Sequence, residues 1–183
     1  MMNFVPESLS RVPDNLNYLP SGTFKVFIRR CPSVVFFTQK VNLPGVKLPP
    51  VEYKTPFPDI AETGDHLEFN PFQLTFIVDE NLNNWLEIHS WMRNLGHADD
   101  FIEYAALEAK PDWTGESLKS EIILTILDSA RDPFMHVTFH DCIPIDLTDI
   151  SFDSTLTDAK YLTATATFNY TNFDYERVVE KTA

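Results

Sequence analysis

The chain contains one cluster of residue types that could bind a metal ion or exchange protons, the segment His136-x3-His140-Asp141-Cys142. On a helix, the two histidines would share a face at the spacing of a zinc site. The apolar residues that alternate with them predict a strand instead, in which side chains four residues apart stand roughly 13 Å apart. We therefore interpret both histidines as ordinary residues of the outer strand face. A zinc site would require a bulge in this strand.

Two other patterns have ordinary structural interpretations. The acid pairs Asp79-Glu80 and Asp99-Asp100 flank a predicted helix, where carboxylates favour the helix dipole more often than they form a hydrolytic pair. The stretch from Phe24 to Arg30 mixes aromatic and basic residues, as single-strand nucleic-acid sites do, but its alternation predicts a core face. Phosphate loops and nucleophile elbows are absent. The sequence thus predicts no enzyme, no cofactor and no metal ligand.

Composition predicts one soluble domain with an acidic surface. The chain has 183 residues and a net charge of −13. Residues 1–54 hold seven basic and three acidic residues, whereas residues 55–183 hold seven basic and 24 acidic ones. This excess of acid disfavours nucleic-acid binding, although it suits a surface past which DNA slides. The two cysteines, Cys31 and Cys142, favour a reducing cytoplasm without disulfides. No segment is typical of a secretory signal or a membrane helix.

Hydrophobic periodicity predicts a mainly β fold with one flanking helix. Residues 23–30 and 33–41 are expected to form a hairpin that turns at Pro32. The helix is expected over 82–95, with Asn81 as its N-cap and Gly96 as a left-handed C-cap. The apolar residues of 99–109, followed by Pro111, also allow a short second helix there. Further strands are predicted at 67–78, 118–128, 134–141, 147–153 and 160–170. The expected architecture is two packed antiparallel sheets, as a sandwich or small barrel.

The segment 42–63 is rich in proline but too apolar for a solvated loop. Proline cannot donate to a sheet ladder, which excludes a central strand. Two alternatives remain at this point: an arm that projects and covers its apolar side on a partner, or a loop folded over the chain's own core. We assign residues 1–22 as an N-terminal arm and residues 23–183 as a single domain.

Five short segments follow one another in a recognisable order along the chain. They are Phe24-x-Val-x-Ile, Phe37-Thr-Gln-Lys-Val-Asn-Leu-Pro-Gly45, Trp85-Leu-Glu-Ile-x-x-Trp91, Phe139-x-Asp-Cys-Ile-Pro-x-x-Leu and Phe168-Asn-Tyr170. No single segment is specific, but together they span about 150 residues, and their order resembles the tail-tube proteins of contractile-tailed bacteriophages. Baseplate hub proteins and type VI secretion tubes share the fold of this family.

The resemblance implies a structural protein of the virion tail, assembled in the host cytoplasm. Its expected partners are copies of itself in homo-hexameric rings that stack head to tail, together with tail sheath and baseplate proteins. DNA would pass through the lumen without specific binding. A repeating tube subunit is the favoured interpretation. The alternatives are a ring at one end of the tube, acting as initiator or terminator, and a type VI secretion-like tube protein.

The proline-rich segment is the predicted inter-subunit contact. The candidate residues are Lys40, Pro44, Gly45, Lys47, Leu48, Val51, Tyr53, Lys54 and Phe57. Because these lie in or near the basic first part of the chain, we expect them to dock on an acidic face of an adjacent copy. Charge reversal at Lys47 and Lys54 should then impair polymerisation. A second hypothesis is that acidic residues of the body line the lumen and repel DNA.

Overall fold

The computed structural model describes residues 17–55, 57–96, 118–155 and 161–178. The elements within them are β1 Phe24–Ile28, α1 Pro32–Phe36, β2 Thr38–Val41, β3 Val46–Lys47, β4 Val51–Tyr53, β5 Ile60–Glu62, β6 Glu68–Phe69, β7 Phe72–Ile77, α2 Asn83–Leu95, β8 Ser120–Leu127, β9 Pro133–Leu147, β10 Thr163–Asn169 and β11 Asn172–Arg177. The mainly β prediction is confirmed. The predicted helix at 99–109 and most of the N-terminal arm lie outside the described residues.

The long strand β9 joins two halves of one antiparallel sheet. The strand order is β1-β8-β9-β10-β7-β2, with β11 also paired to β9. The first half of β9 pairs with β8 and β11, and its second half pairs with β10. The two halves enclose the core between them. Because β1 and β2 end the sheet without pairing to each other, the sheet does not close into a barrel.

Phenylalanines from both halves of the sheet meet in the core. Phe72 of β7, Phe139 of β9 and Phe168 of β10 are fully buried. The ring centroids of Phe72 and Phe139 lie 4.7 Å apart, and those of Phe72 and Phe168 lie 6.3 Å apart. Such tilted pairs add to the free energy gained by burying the rings. The alternation predicted for the strands at 23–30 and 67–78 is confirmed, since Val26, Ile28, Leu74 and Phe76 are buried.

The predicted N-terminal hairpin is wrong. Residues 32–36 form the short helix α1, which begins at a proline because a first-turn N–H needs no partner in the helix. Only β2 remains of the predicted strand at 33–41. β1 pairs with β8 and β2 pairs with β7, so α1 carries the chain from one end of the sheet to the other. Val34 of α1 is fully buried in this crossing.

The predicted break between a strand at 134–141 and a strand at 147–153, with a turn at Asp141–Pro144, is also wrong. Asp141 has a φ of 58°, and the pairing of β8 with β9 shifts register beside it. These features describe a β-bulge, which bends a strand without ending it. β9 therefore continues to Leu147, and residues 148–155 form no strand. Strand β11 was missed because its sequence, Asn-Phe-Asp-Tyr-Glu-Arg, is polar and mostly exposed.

The central helix is confirmed and has Gly96 as its C-cap, as predicted, but Asn81 is not its N-cap. Leu82 is the N-cap, with a left-handed φ of 60°. The Asp79 carboxylate accepts a hydrogen bond from the Asn83 N–H at 2.7 Å, which satisfies a donor at the helix start. Gly96 has a φ of −85° and is not left-handed. Helical periodicity predicts an apolar stripe of Trp85, Ile88, Met92 and Leu95. Ile88 of this stripe is buried, and so is Trp91, which lies outside it.

Candidate interaction surfaces

Residues 42–69 form a narrow double ribbon, which we call the β-arm. β3 pairs with β6, so that Val46 lies opposite Phe69, and β4 pairs with β5 farther out, so that Tyr53 lies opposite Ile60. Neither ribbon pairs with a strand of the main sheet. The outer part, residues 51–62, is the β-arm tip.

Hydrogen bonds fasten the base of the β-arm to the body. The Asn42 side chain accepts from the Gln73 N–H at 2.6 Å and donates to the Pro71 carbonyl at 3.1 Å. The Tyr170 hydroxyl donates to the Asn70 carbonyl at 2.9 Å. Burial raises the pKa of Tyr170, which keeps this phenol protonated as a donor. The β-arm therefore leaves the body in a fixed direction.

The apolar side chains of the β-arm tip face solvent. Val51 is 45% exposed, Tyr53 54%, Ile60 55% and Phe57 82%. Burying such side chains is favourable by about 25 cal/mol per Å² of apolar surface, so their exposure is costly for an isolated chain. The described part of this segment is thus a projecting ribbon and not a loop folded over the chain's own core. Contiguous exposed apolar surface is typical of a contact site.

A close approach of the two β-arm strands requires Gly64. A β-carbon at this position would lie 1.9 Å from the Pro49 carbonyl oxygen. We expect Gly64→Ala to force the ribbon apart and to speed tryptic cleavage after Lys47 and Lys54 by about fivefold, as an opening free energy lowered by about 1 kcal/mol would do. Gly22→Ala is the matched control, because a β-carbon there meets nothing within 4 Å. Equal cleavage of both variants would contradict this account of Gly64.

The folded β-arm carries more acidic than basic residues, so a surface complementary to it in charge would be basic and not acidic. Lys47 lies directly opposite Glu68 across the ribbon. Residues 42–69 contain only two lysines, Lys47 and Lys54, and five acids: Glu52, Asp59, Glu62, Asp65 and Glu68. The basic character assigned to residues 1–54 therefore does not make the β-arm basic, because pairing brings in the acids of the following segment. The charge of the β-arm therefore gives no electrostatic reason to expect that it docks on an acidic face.

The other candidate contact residues fall in three environments. Val51, Tyr53 and Phe57 lie in the exposed tip, and Leu48 lies near the base with about half of its side chain exposed. Pro44 is buried, so it is placed to support the base and not to contact a partner. The Gly45 carbonyl accepts from the Asn70 N–H at 3.1 Å. Lys40 belongs to β2 and is exposed on the body.

An apolar groove, which we call the β1 groove, opens between the ends of the main sheet. Its volume is about 610 Å³, and its lining includes Phe24 and Phe27 of β1, Val35 and Phe36 of α1, and Thr38 of β2. Phe27 is 53% exposed and Phe36 is 84% exposed. The aromatic and basic stretch at 24–30 thus divides between the core and this groove. Sequence periodicity placed Phe27 on the outer face of β1 but gave no sign of the groove.

The residues of the His136–Cys142 cluster do not converge on one point. The His136 ring lies 2.9 Å from the Thr125 hydroxyl, and His140 lies between Glu121 at 3.3 Å and Asp174 at 3.0 Å. Each ring nitrogen of His140 faces a different carboxylate, and the two carboxylates lie on opposite sides of the ring. The two carboxylates and the His140 ring therefore do not surround one common point where an ion could bind. Within residues 17–55, 57–96, 118–155 and 161–178, no three His, Cys, Asp or Glu side chains are placed to hold a metal.

Both cysteines are buried as free thiols. Burial raises the pKa of each to about 12, so the folded protein holds them protonated at neutral pH, and a protonated thiol is a poor nucleophile. We expect neither Cys31 nor Cys142 to react quickly with a disulfide reagent at pH 8, whereas both react at once in denaturant. A rapid native reaction with either thiol would contradict their burial.

The described structure indicates the general class to which this protein belongs. The described residues form an open β fold with a projecting ribbon and exposed apolar surfaces. Among these residues, no helix has the length and apolar character needed to span a membrane. These features are typical of a structural assembly protein.

Comparison with known proteins identifies the family. The sequence matches the phage tail tube protein family over residues 12–176, so this chain belongs to that family. It is 32% identical over 144 residues to the tail tube terminator protein of Enterobacteria phage T4, which covers 76% of each chain. The resemblance drawn from the sequence is therefore confirmed. The chain is a structural component of a phage tail and not an enzyme.

Solved structures show the same fold at low sequence identity. A chain of the anti-feeding prophage tube-terminating cap superposes with a TM-score of 0.59 at 13% identity, covering 92% of this chain and 97% of that one. A chain of the anti-feeding prophage baseplate superposes with a TM-score of 0.58 at 11% identity, covering 87% and 96%. At such low sequence identity these two likenesses show a common fold.

Proposed function

We propose that this chain forms the ring that terminates a tail tube. The observation that carries the proposal is the 32% sequence identity between this chain and the tail tube terminator protein of phage T4, which covers 76% of each chain. The fold shared with a tube-terminating cap supports the same assignment. Sequence alone favoured the repeating tube subunit, and the T4 relative moves the preference to the end ring.

The proposed ring contains six copies, as the family resemblance implies, and binds the last tube ring on one face. A closed ring requires heterologous contacts, in which one surface meets a different surface of the next copy. The β-arm and the β1 groove are two such different surfaces. Tail sheath proteins would meet the outer surface of the ring, as the family resemblance implies.

DNA would pass through the lumen of the ring. The net charge of −13 disfavours lasting contact with phosphates, because a protein binds DNA nonspecifically through clustered Lys and Arg. We expect the purified ring not to retard duplex DNA in a gel at low salt. Retardation under these conditions would contradict a lumen surface along which DNA slides without binding.

Electron microscopy of negatively stained protein tests the proposal against its alternative. The purified chain is imaged across a wide concentration range, with light scattering on the same samples, and then after addition of preassembled tail tubes. An end ring forms isolated rings that do not elongate, and it appears at tube ends when tubes are added. A repeating subunit, or a type VI secretion-like tube protein, would instead form stacked rings whose length grows with concentration.

A further inference from the structure

The described lining of the β1 groove holds one charged side chain, the base Lys25, although the chain as a whole is strongly acidic. Lys25 lies on its rim, and an adjoining polar hollow is lined by Lys25 and Arg131. None of the residues that line these two hollows in the described structure is acidic. Acids outnumber bases by 27 to 14 in the whole sequence. An incoming segment that is apolar with a negative charge would therefore match both properties of the groove.

The β-arm tip has this combination. Val51 lies opposite Glu62, and Tyr53 lies opposite Ile60. Since side chains alternate along a strand, these four residues share one face of the ribbon, three apolar and one acidic. Residues 51–62 as a whole contain three acids and one lysine. The tip is thus complementary to the groove in charge and in apolar character.

We propose that the β-arm tip of one copy docks in the β1 groove of a neighbouring copy. This proposal rests on the proposed function, because it assigns the contact by which copies join into a ring. Tyr53 and Ile60 would cover Phe27 and Phe36 of the neighbour, and Glu62 would face Lys25 and Arg131. The contact joins two different surfaces, so it repeats around a ring instead of ending at a dimer.

The backbone of the groove also suits a ribbon as its occupant. β1 pairs with β8 on one side, and no strand within residues 17–55, 57–96, 118–155 and 161–178 pairs with its other side. An exposed strand edge of this kind accepts a further strand through main-chain hydrogen bonds. The groove volume of about 610 Å³ lies within the roughly 300–1,000 Å³ of sites that enclose a ligand. A strand of the tip can therefore extend the sheet while its side chains fill the groove.

Reciprocal charge reversal gives the sharpest test. The groove variant combines Lys25→Glu with Arg131→Glu, and the tip variant is Glu62→Lys, the acid on the docking face of the ribbon. We expect each variant to raise the protein concentration needed for self-association by about tenfold or more, because like charges then meet. The chain that carries all three substitutions should recover most of the lost association. Analytical ultracentrifugation at low and moderate salt measures these concentrations.

The outcomes separate this inference from the proposed function. Loss in both variants with recovery in the combined chain supports docking of the tip in the groove. Loss without recovery, or no loss, overturns it. If the reversed chains still form rings that cap tubes, the terminator assignment stands and only the contact is wrong. If recovery occurs but the assembled species elongates into tubes, the contact stands and the terminator assignment fails.

Cross-linking between two single-cysteine variants provides a second readout. Tyr53→Cys marks the tip and Phe36→Cys marks the groove. The native thiols contribute little background because they are buried, with pKa values of about 12. We expect a short bismaleimide to join the two variants when they are mixed, and to join neither with itself. Ser151→Cys, exposed after β9, replaces Phe36→Cys as the control. Equal yields with the control would overturn the docking.

Discussion

Replacement of Phe139 by alanine is expected to lower the free energy of unfolding by about 3–5 kcal/mol. The Phe139 side chain is fully buried, and its ring centroid lies 4.7 Å from that of Phe72 and 5.0 Å from that of Tyr170. Alanine would leave a cavity where the two halves of the sheet meet at β9. Since a domain is typically stable by about 5–15 kcal/mol, this one substitution removes a large fraction of the total.

Chemical denaturation followed by tryptophan fluorescence measures this effect. Trp91 reports on the same core, since its ring centroid lies 6.1 Å from that of Phe168. Phe27→Ala is the matched control, because Phe27 lies on the outer face of β1 with half of its surface exposed. We expect the control to change stability by less than about 1 kcal/mol. A similar loss in both variants would contradict the described core.

Deletion of the β-arm tip is expected to abolish ring formation and to leave the body folded. In this variant an Asn-Gly turn replaces residues 51–62 and joins Pro50 to Thr63. In the part of the chain that the structure describes, the two strands of the tip pair only with each other, and their apolar side chains are exposed. The change in stability should therefore stay within about 1 kcal/mol, whereas association should weaken by at least about a hundredfold if the tip carries the main contact.

Sedimentation and thermal unfolding of the same preparation separate these two effects. Phe57→Ser is a graded control, because it removes the most exposed apolar side chain of the tip and keeps the ribbon. It should weaken association less than the full deletion does. Rings of normal size from the deleted chain would show that the β-arm tip is not an assembly surface. A melting temperature lowered by many degrees would show that the tip supports the body.

Elements with a regular hydrophobic period could be predicted from the sequence. β1, β7 and α2 each bury one face against the core, and so their apolar residues recur with period two or 3.6. The region from Pro32 to Phe36 could not be predicted in this way. Its apolar residues suit either a strand or a short helix, and its helical state follows from the crossing between the two ends of the sheet.

The bulge in β9 shows a second reason why local sequence patterns do not predict the whole fold. Asp141 and Pro144 are residues typical of turns, yet β8 and β10 hold both of them within one continuous strand. Long-range pairing therefore overrides a local turn signal. The same limit applies to charge on the β-arm, because Lys47 is separated from Glu68 by twenty residues of sequence and lies opposite it in the fold. The β-arm itself could be predicted, since proline excludes it from the main sheet, but its net charge could not.

The position of this protein on intact tails tests the central claim most directly. Gold-labelled antibody against the chain is applied to purified tails with contracted sheaths, and label positions are scored along the exposed tube by electron microscopy. The account predicts label confined to one end of each tube. Label distributed along the tube length would contradict a terminating ring and would assign the chain as the repeating subunit.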